Sequence, residues 1–257
     1  MKHCRLIFLI GFVLLMFSFS VSTSGAQDII SSDDYVGYHE DDQDFDIEET
    51  PDINDPYESY NRVIFKFNNT VYHYILNPVS QGYDFLLPKK VQSSIDKLFS
   101  NAKMPIRFFN NLFQGKFETA STEMGRFLIN STIGLGGLFD PARSVFNLEI
   151  HTEDFGQTLG YHGMGSGNYI VWPILGPSNG RDSIGFIVDI AFDPLTWLSI
   201  LPVEPDEVFS GINGVRYVNG YSYNVRDNYE DIIKLAIDPY ISMRHAYTWS
   251  RRKKVEE

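Results

Sequence analysis

The stretch from Tyr60 to Leu76 sets the terms for this chain. Val63, Phe67, Val71, Tyr74 and Ile75 recur at helical spacing. Ile64, Phe65 and Tyr72 fall off that stripe, so the helix they predict is apolar around most of its circumference. Such a helix is either deeply buried or in contact with lipid. Pro78 is expected to end it, because the residue before a proline is steered out of the helical region.

Further helices follow the same logic. Lys89 to Ser100 reads as amphipathic, with Val91, Ile95, Leu98 and Phe99 on one face. Phe117 to Asn130 reads as another, with Ala120, Met124, Phe127 and Leu128 on one side. Between them lies a short apolar piece, Ile106, Phe108, Phe109, Leu112 and Phe113, where Asn110 and Asn111 argue against a long helix. Ile184 to Leu201 predicts one helix broken near Pro194. A looser helical period runs from Val208 to about Ile237, weakened by Gly211, Gly214 and Gly220. Gly134 to Phe139 and Gly160 to Gly167 predict turns or irregular close-packed segments, and Tyr169 to Ile174 a short extended one. Strand-like alternation is otherwise scarce. The fold class is therefore mainly α, a single helical domain with glycine-rich connections.

Ahead of this domain, Lys2, His3 and Arg5 precede an apolar run from Leu6 to Phe19, and Ser24-Gly25-Ala26 offers small residues for cleavage. That is the pattern of a secretory signal peptide over 1–26, with an uncleaved anchor as the other reading. Residues 27–58 carry 13 Asp or Glu and no Lys or Arg, whereas residues 59–257 hold 20 acidic and 19 basic side chains. The net charge of −12 thus comes mostly from one segment. It is too charged to bury a core, so 27–54 is expected to be disordered, a spacer or an acidic docking arm. The domain then spans 55–250, and 251–257 forms a charged tail. Its run Arg251-Arg252-Lys253-Lys254 is either a solvated end or a contact for acidic lipid head groups.

Little here points to catalysis. The sole cysteine, Cys4, lies inside the signal, so the mature chain has no thiol to ligate metal or attack substrate. His39, His73, His151, His162 and His245 are widely separated, and no H-E-x-x-H stands in the chain, so no metal is signalled. Gly163-Met164-Gly165-Ser166-Gly167 fits neither a nucleophile elbow nor a dinucleotide loop. Asp154, Asp182, Asp189 and Asp193 could hold a metal or act as acid and base; Asp189 and Asp193 lie one turn apart. Capping and turn formation is the plainer reading. The folded part has no basic excess for nucleic acid. We expect no enzyme and no cofactor.

Several short patterns carry a resemblance. They are Asp55-Pro56-Tyr57-Glu58 with Asn61-Arg62-Val63-Ile64-Phe65-Lys66-Phe67-Asn68, and Gly125-Arg126-Phe127-Leu128-Ile129-Asn130-Ser131-Thr132. Then come Asp154-Phe155-Gly156-Gln157-Thr158-Leu159-Gly160, Trp172-Pro173-Ile174-Leu175-Gly176-Pro177-Ser178 with Arg181-Asp182, and Asp238-Pro239-Tyr240-Ile241 with Arg244 and Ala246-Tyr247. In order and spacing the chain resembles the MlaA (VacJ) family of Gram-negative bacteria. The resemblance implies a helical ring in the periplasmic leaflet of the outer membrane. Through its channel, mislocalised phospholipid leaves the outer leaflet for a soluble periplasmic carrier, which keeps the membrane asymmetric. It also implies a trimeric outer-membrane porin as partner. On the same ground Asn61, Arg62, Phe65, Phe67 and Asn68 are candidates for the lipid path or its gating, and Gly134, Gly136 and Gly137 for a structural glycine turn.

The Tyr60–Leu76 helix, the Ile184–Leu201 run and Phe108, Phe109 and Phe113 are candidates for lipid contact or for ordinary core. Arg62, Arg126, Arg181 and Asp182 are expected to be paired or capping residues. One departure matters: many family members are anchored through a cysteine just after the signal, and here none follows the apolar run. A non-catalytic scaffold that organises porins or surface assembly is the alternative reading.

Overall fold

A computed structural model describes Ile53, residues 55–200 and residues 206–257. The signal peptide, nearly all of the acidic segment and Leu201 lie outside the described residues.

The first helix, α1 (Glu58–Val71), does not stop at Pro78. It passes through a π-helical turn (Tyr72–Leu76) into α2 (Asn77–Leu86). In that turn the Asn77 N–H bonds back five residues to the Tyr72 carbonyl. The wider turn shifts the hydrogen-bond ladder just before Pro78, which has no N–H to contribute, so the helix continues. Proline ends it ten residues later instead: Leu87, ahead of Pro88, is extended at φ −122°.

Next come α3 (Lys89–Ala102), α4 (Met104–Phe113), α5 (Phe117–Thr132), the short α6 (Pro141–Ser144) and α7 (Phe155–Tyr161). The asparagines that argued against a helix after Pro105 are inside it and buried. Their amides bond back to the Ile106 and Arg107 carbonyls, at 2.9 and 2.8 Å. A hairpin follows, β1 (Tyr169–Trp172) antiparallel to β2 (Gly176–Asn179), with Trp172 opposite Gly176. The expected break near Pro194 separates α8 (Gly180–Phe192) from α9 (Pro194–Ile200). The loose period after Val208 resolves into α10 (Asp206–Gly220), a second π-turn (Tyr221–Val225) and α11 (Arg226–Leu235). The last helix, α12 (Pro239–Glu256), does not give way to a tail at Arg251: Arg251 is buried and ion-paired.

The two π-turns pack against each other. Tyr72, Leu76, Tyr221 and Val225 form one apolar cluster, with the Tyr72 and Tyr221 rings stacked 5.7 Å apart. A second cluster joins the hairpin to the last helix through Tyr169, Val171, Tyr240 and Tyr247.

Elsewhere the usual arrangement is reversed. Gln92, Glu123, Asn61, Asn110, Asn111, Asn219 and Ser80 are almost wholly buried. Large apolar side chains face outward, Ile237 fully, Phe85 at 90 % and Leu235 at 84 % exposed. The apolar stripe of α1 and its π-turn is among them: Val63, Phe67, Tyr74 and Ile75 are exposed, while Asn61, Asn68, Tyr72 and Leu76 point in. Phe117, Leu128, Val91, Ile184 and Ile187 are exposed too. Leaving one such side chain in water forgoes about 1.5–3 kcal/mol of burial, and a soluble monomer seldom exposes so much apolar surface. Among the described residues no helix is long and apolar enough to cross a membrane.

Candidate functional site

The inward face of α1 is built to hold a strand. Asn61 and Asn68 are seven residues apart, hence on one face and about 10 Å apart along the axis. The Asn61 amide accepts from the Val171 N–H (2.8 Å) and donates to the Tyr169 carbonyl (3.2 Å). The Asn68 amide accepts from the Ile174 N–H (2.6 Å) and donates to the Trp172 carbonyl (2.9 Å). These two pairs are centred three residues apart on the chain, again about 10 Å at strand rise. Two side chains thus stand where a neighbouring strand would, and the free edge of β1 is satisfied.

The other candidates divide. Phe65 meets Tyr240 edge to face at 5.8 Å. Arg62 lies at the surface, bonded to Glu58 (2.7 Å) and Asp238 (2.9 Å) and 4.5 Å over the Tyr240 ring. Phe67 points away and is 48 % exposed. So Asn61 and Asn68 bond the hairpin, Phe65 packs on the cluster that the hairpin shares with the last helix, and Arg62 and Phe67 do not reach the hairpin. The glycines belong elsewhere, in the turn after α5. A Cβ at Gly134 would sit 2.4 Å from the Asn130 carbonyl oxygen, and one at Gly137 would sit 2.6 Å from the Asn101 Cβ. Gly136 there has φ +74°.

Beside Phe65 and Asn68 opens an apolar cleft of about 460 Å³, its open mouth included. Phe65, Tyr72, Val225, Tyr229 and Met243 wall one side, and Leu175 of the hairpin turn the other. No charged residue lines it.

A second constellation was missed in the sequence, where Asp154 and Asp182 read as capping or paired residues and Arg251 as part of a solvated or lipid-contacting end. Arg251 reaches Asp154 (2.6 Å) and Asp182 (2.8 Å), and Asp182 also accepts from the Tyr247 hydroxyl (2.6 Å) and the Asn179 amide (2.7 Å). Burial alone would raise the Asp154 carboxyl, but the Arg251 guanidinium holds it well below the usual range. Asp154 also caps α7, and Asn179 caps α8. The motifs around Asp154 and Arg181-Asp182 therefore tie the hairpin and α7 to the last helix. Their glycines make room: a Cβ at Gly185 would fall 2.3 Å from the Gly156 nitrogen. Only the wide separation of Asp154 and Arg251 hid this knot.

Several other charges are paired as well. Arg126 bonds Asp140 at 2.8 Å and Arg181 bonds Asp182 at 3.1 Å. Asp193 binds Arg216 at 2.9 Å and caps α9 through the Leu195 N–H. It does not share a site with Asp189, which accepts from the Phe155 N–H and the Asn110 amide. Burial, then the charge of Asp154, pushes the Asp189 carboxyl up to about 8. Among the described residues, no group of three metal-ligating side chains gathers.

Comparison with known proteins places the chain. The sequence profile described as "MlaA lipoprotein" matches residues 53–254. The chain is 33% identical over 214 residues to the "Intermembrane phospholipid transport system lipoprotein MlaA" of Haemophilus influenzae, covering 82% of this chain and 83% of that one. It is 29% identical over 196 residues to the protein of the same name in Escherichia coli K12, covering 75% of each. A chain solved in work on the "structural basis for maintenance of bacterial outer membrane lipid asymmetry" superposes with a TM-score of 0.67 at 28% identity. The match spans 79% of this chain and 99% of the other.

Proposed function

The chain belongs to the MlaA family, and we propose that it removes mislocalised phospholipid from the outer leaflet of the outer membrane, through a channel, for delivery to a periplasmic carrier. The observation that carries this reading is the reversed burial. Apolar side chains such as Phe85, Leu235 and Ile237 face out while asparagine, glutamine and paired charges fill the interior. An apolar outside suits acyl chains, and a polar inside suits a route that a phospholipid head group can share.

The protein acts as a passage rather than a catalyst. Asp140, Asp154, Asp182 and Asp193 are engaged in caps and ion pairs, and lipid movement draws on the lipid gradient or on partners. A soluble periplasmic carrier takes the lipid on one side, and a trimeric porin is the neighbour in the membrane. Asn61, Phe65 and Asn68 act on the path by holding the hairpin. The relatives are named lipoproteins, whereas the one cysteine here, Cys4, precedes the apolar run. Placement on the periplasmic side of the outer membrane then rests on the apolar exterior rather than on an acylated cysteine.

The test is a clean deletion strain, scored for phospholipid in the outer leaflet and restored from a plasmid. Accumulation that the plasmid reverses is the expected result. Unchanged asymmetry with altered porin complexes would instead favour the scaffold. Mass spectrometry of protein from native outer membrane adds a second check: a start at Gln27, with co-purifying phospholipid and porin, is expected.

A further inference from the structure

One residue of the hairpin turn is strained. Ile174 sits at φ +67°, a region where a β-branched side chain is a true outlier. Such strain persists only where the surroundings over-determine it. Here both backbone groups of Ile174 are held from the first helix. Its N–H donates to the Asn68 amide oxygen at 2.6 Å, and its carbonyl accepts from the Tyr72 hydroxyl at 3.4 Å. Tyr72 in turn begins a π-turn and stacks on Tyr221 of the second π-turn. π-turns are departures from the α ladder that recur at functional positions.

What the strained turn covers is the apolar cleft. Leu175, the next residue, forms part of its wall. The polar atoms around the cleft are already spent. Both ends of the Asn68 amide hold the strand, and the Tyr72 and Tyr229 hydroxyls bond Ile174 and Asn69. With no charge and no free polar anchor, the cleft suits a hydrocarbon and offers nothing to a head group. Most of its volume is open mouth, with room inside for little more than a water molecule, so a chain enters only if the turn lifts.

We propose that the Pro173–Leu175 turn is a latched lid, held shut under strain by Asn68 and Tyr72, over a cleft that takes one acyl chain of a phospholipid. The lid stands on its own geometry; the phospholipid as the source of the chain rests on the transport reading above. Strain in the shut state works against the latch, so the two are set close to balance.

The balance can be pushed both ways. Ile174→Gly relieves the strain and keeps the backbone bonds, favouring the shut lid. Tyr72→Phe keeps the ring stacking and removes one bond of the latch, favouring the open lid. The readout is a photo-cross-linker in place of Leu175 (Leu175→p-benzoylphenylalanine), activated in cells. A phospholipid adduct is expected, rising roughly threefold with Tyr72→Phe for the loss of one hydrogen bond. It should fall roughly fivefold with Ile174→Gly as the strain is relieved. Adducts to protein alone, or a lipid yield indifferent to both variants, would overturn the lid. If the deletion strain accumulates outer-leaflet phospholipid while Leu175 captures no lipid, the transport reading stands and the lid is wrong. If neither is seen, both fail.

Discussion

At the scale of single residues, the chain substitutes side-chain amides for backbone partners. Asn61 is fully buried and bonds Tyr169, Val171 and Asp55 at once. Asn61→Ala would strand a buried N–H and a buried carbonyl, each costing about 1–3 kcal/mol. We expect a loss of about 2–4 kcal/mol in denaturant unfolding in detergent; a change near zero would mean that water replaces the amide. Asp189 gives a second residue-scale prediction, on pH. An unfolded aspartate titrates near pH 4, but in the fold Asp189 keeps its proton to about 8. Between those values the folded chain binds more protons than the unfolded one, so stability from this group falls as pH rises from about 4 to 8. Asp154 runs the other way, its contribution present above about pH 4 and lost as pH falls below the usual carboxylate range. Asp189→Asn should flatten the decline towards pH 8 in a melting-temperature series, while the acid-side loss remains. An unchanged slope would remove Asp189 from the account. Neither role was legible in the sequence. Asn61 stood out only through a family resemblance, because its partner Tyr169 is 108 residues away.

Elements here are joined by close approach rather than by a large apolar core. Helices α7 and α8 touch where Gly156 meets Gly185, and a Cβ on Gly185 would enter the backbone of Gly156 at 2.3 Å. Backbone cannot yield as a flexible side chain can. Gly185→Ala should therefore separate the two helices and cost about 1–3 kcal/mol or more, read as a lower unfolding midpoint. Normal stability would show that the crossing can shift. At this scale much was legible. Helical period located several of the helices but not α12, the longest at 18 residues; the extended reading of Tyr169 to Ile174 matches β1, and Pro194 marks the break before α9. The misses share a cause, local rules overridden by bonds they do not see. Pro78 lies inside a continuous helix because the π-turn ahead of it moves the ladder. Asn110 and Asn111 sit in α4 because their amides fold back on their own helix, and Asn110 also bonds Asp189. Arg251 leaves solvent because two carboxylates await it.

For the whole molecule, the question is what the apolar exterior faces. Periodicity found the stripe of α1 but not its direction, because a stripe reads alike whether it meets core or lipid. The structure turns it outward, and the same holds at the C-terminal ends of two other helices, with Phe85 and Leu86 closing α2, Leu235 closing α11 and Ile237 just beyond it. These side chains contribute almost nothing to packing, so changing them should hardly alter folding in detergent, within about 0.5 kcal/mol. In a bilayer the outcome differs, since a charged side chain placed among acyl chains costs about 2.5–3.5 kcal/mol on insertion scales. The pair Phe85→Asp and Ile237→Asp should therefore keep the melting temperature in detergent and weaken retention in the outer membrane. Fractionation after carbonate extraction measures this directly: the double variant is expected largely in the soluble fraction, the native chain in the pellet. Equal retention would mean that these surfaces face protein instead, and a porin bound over Phe85 or Ile237 would then appear as a co-purifying partner lost from the variant.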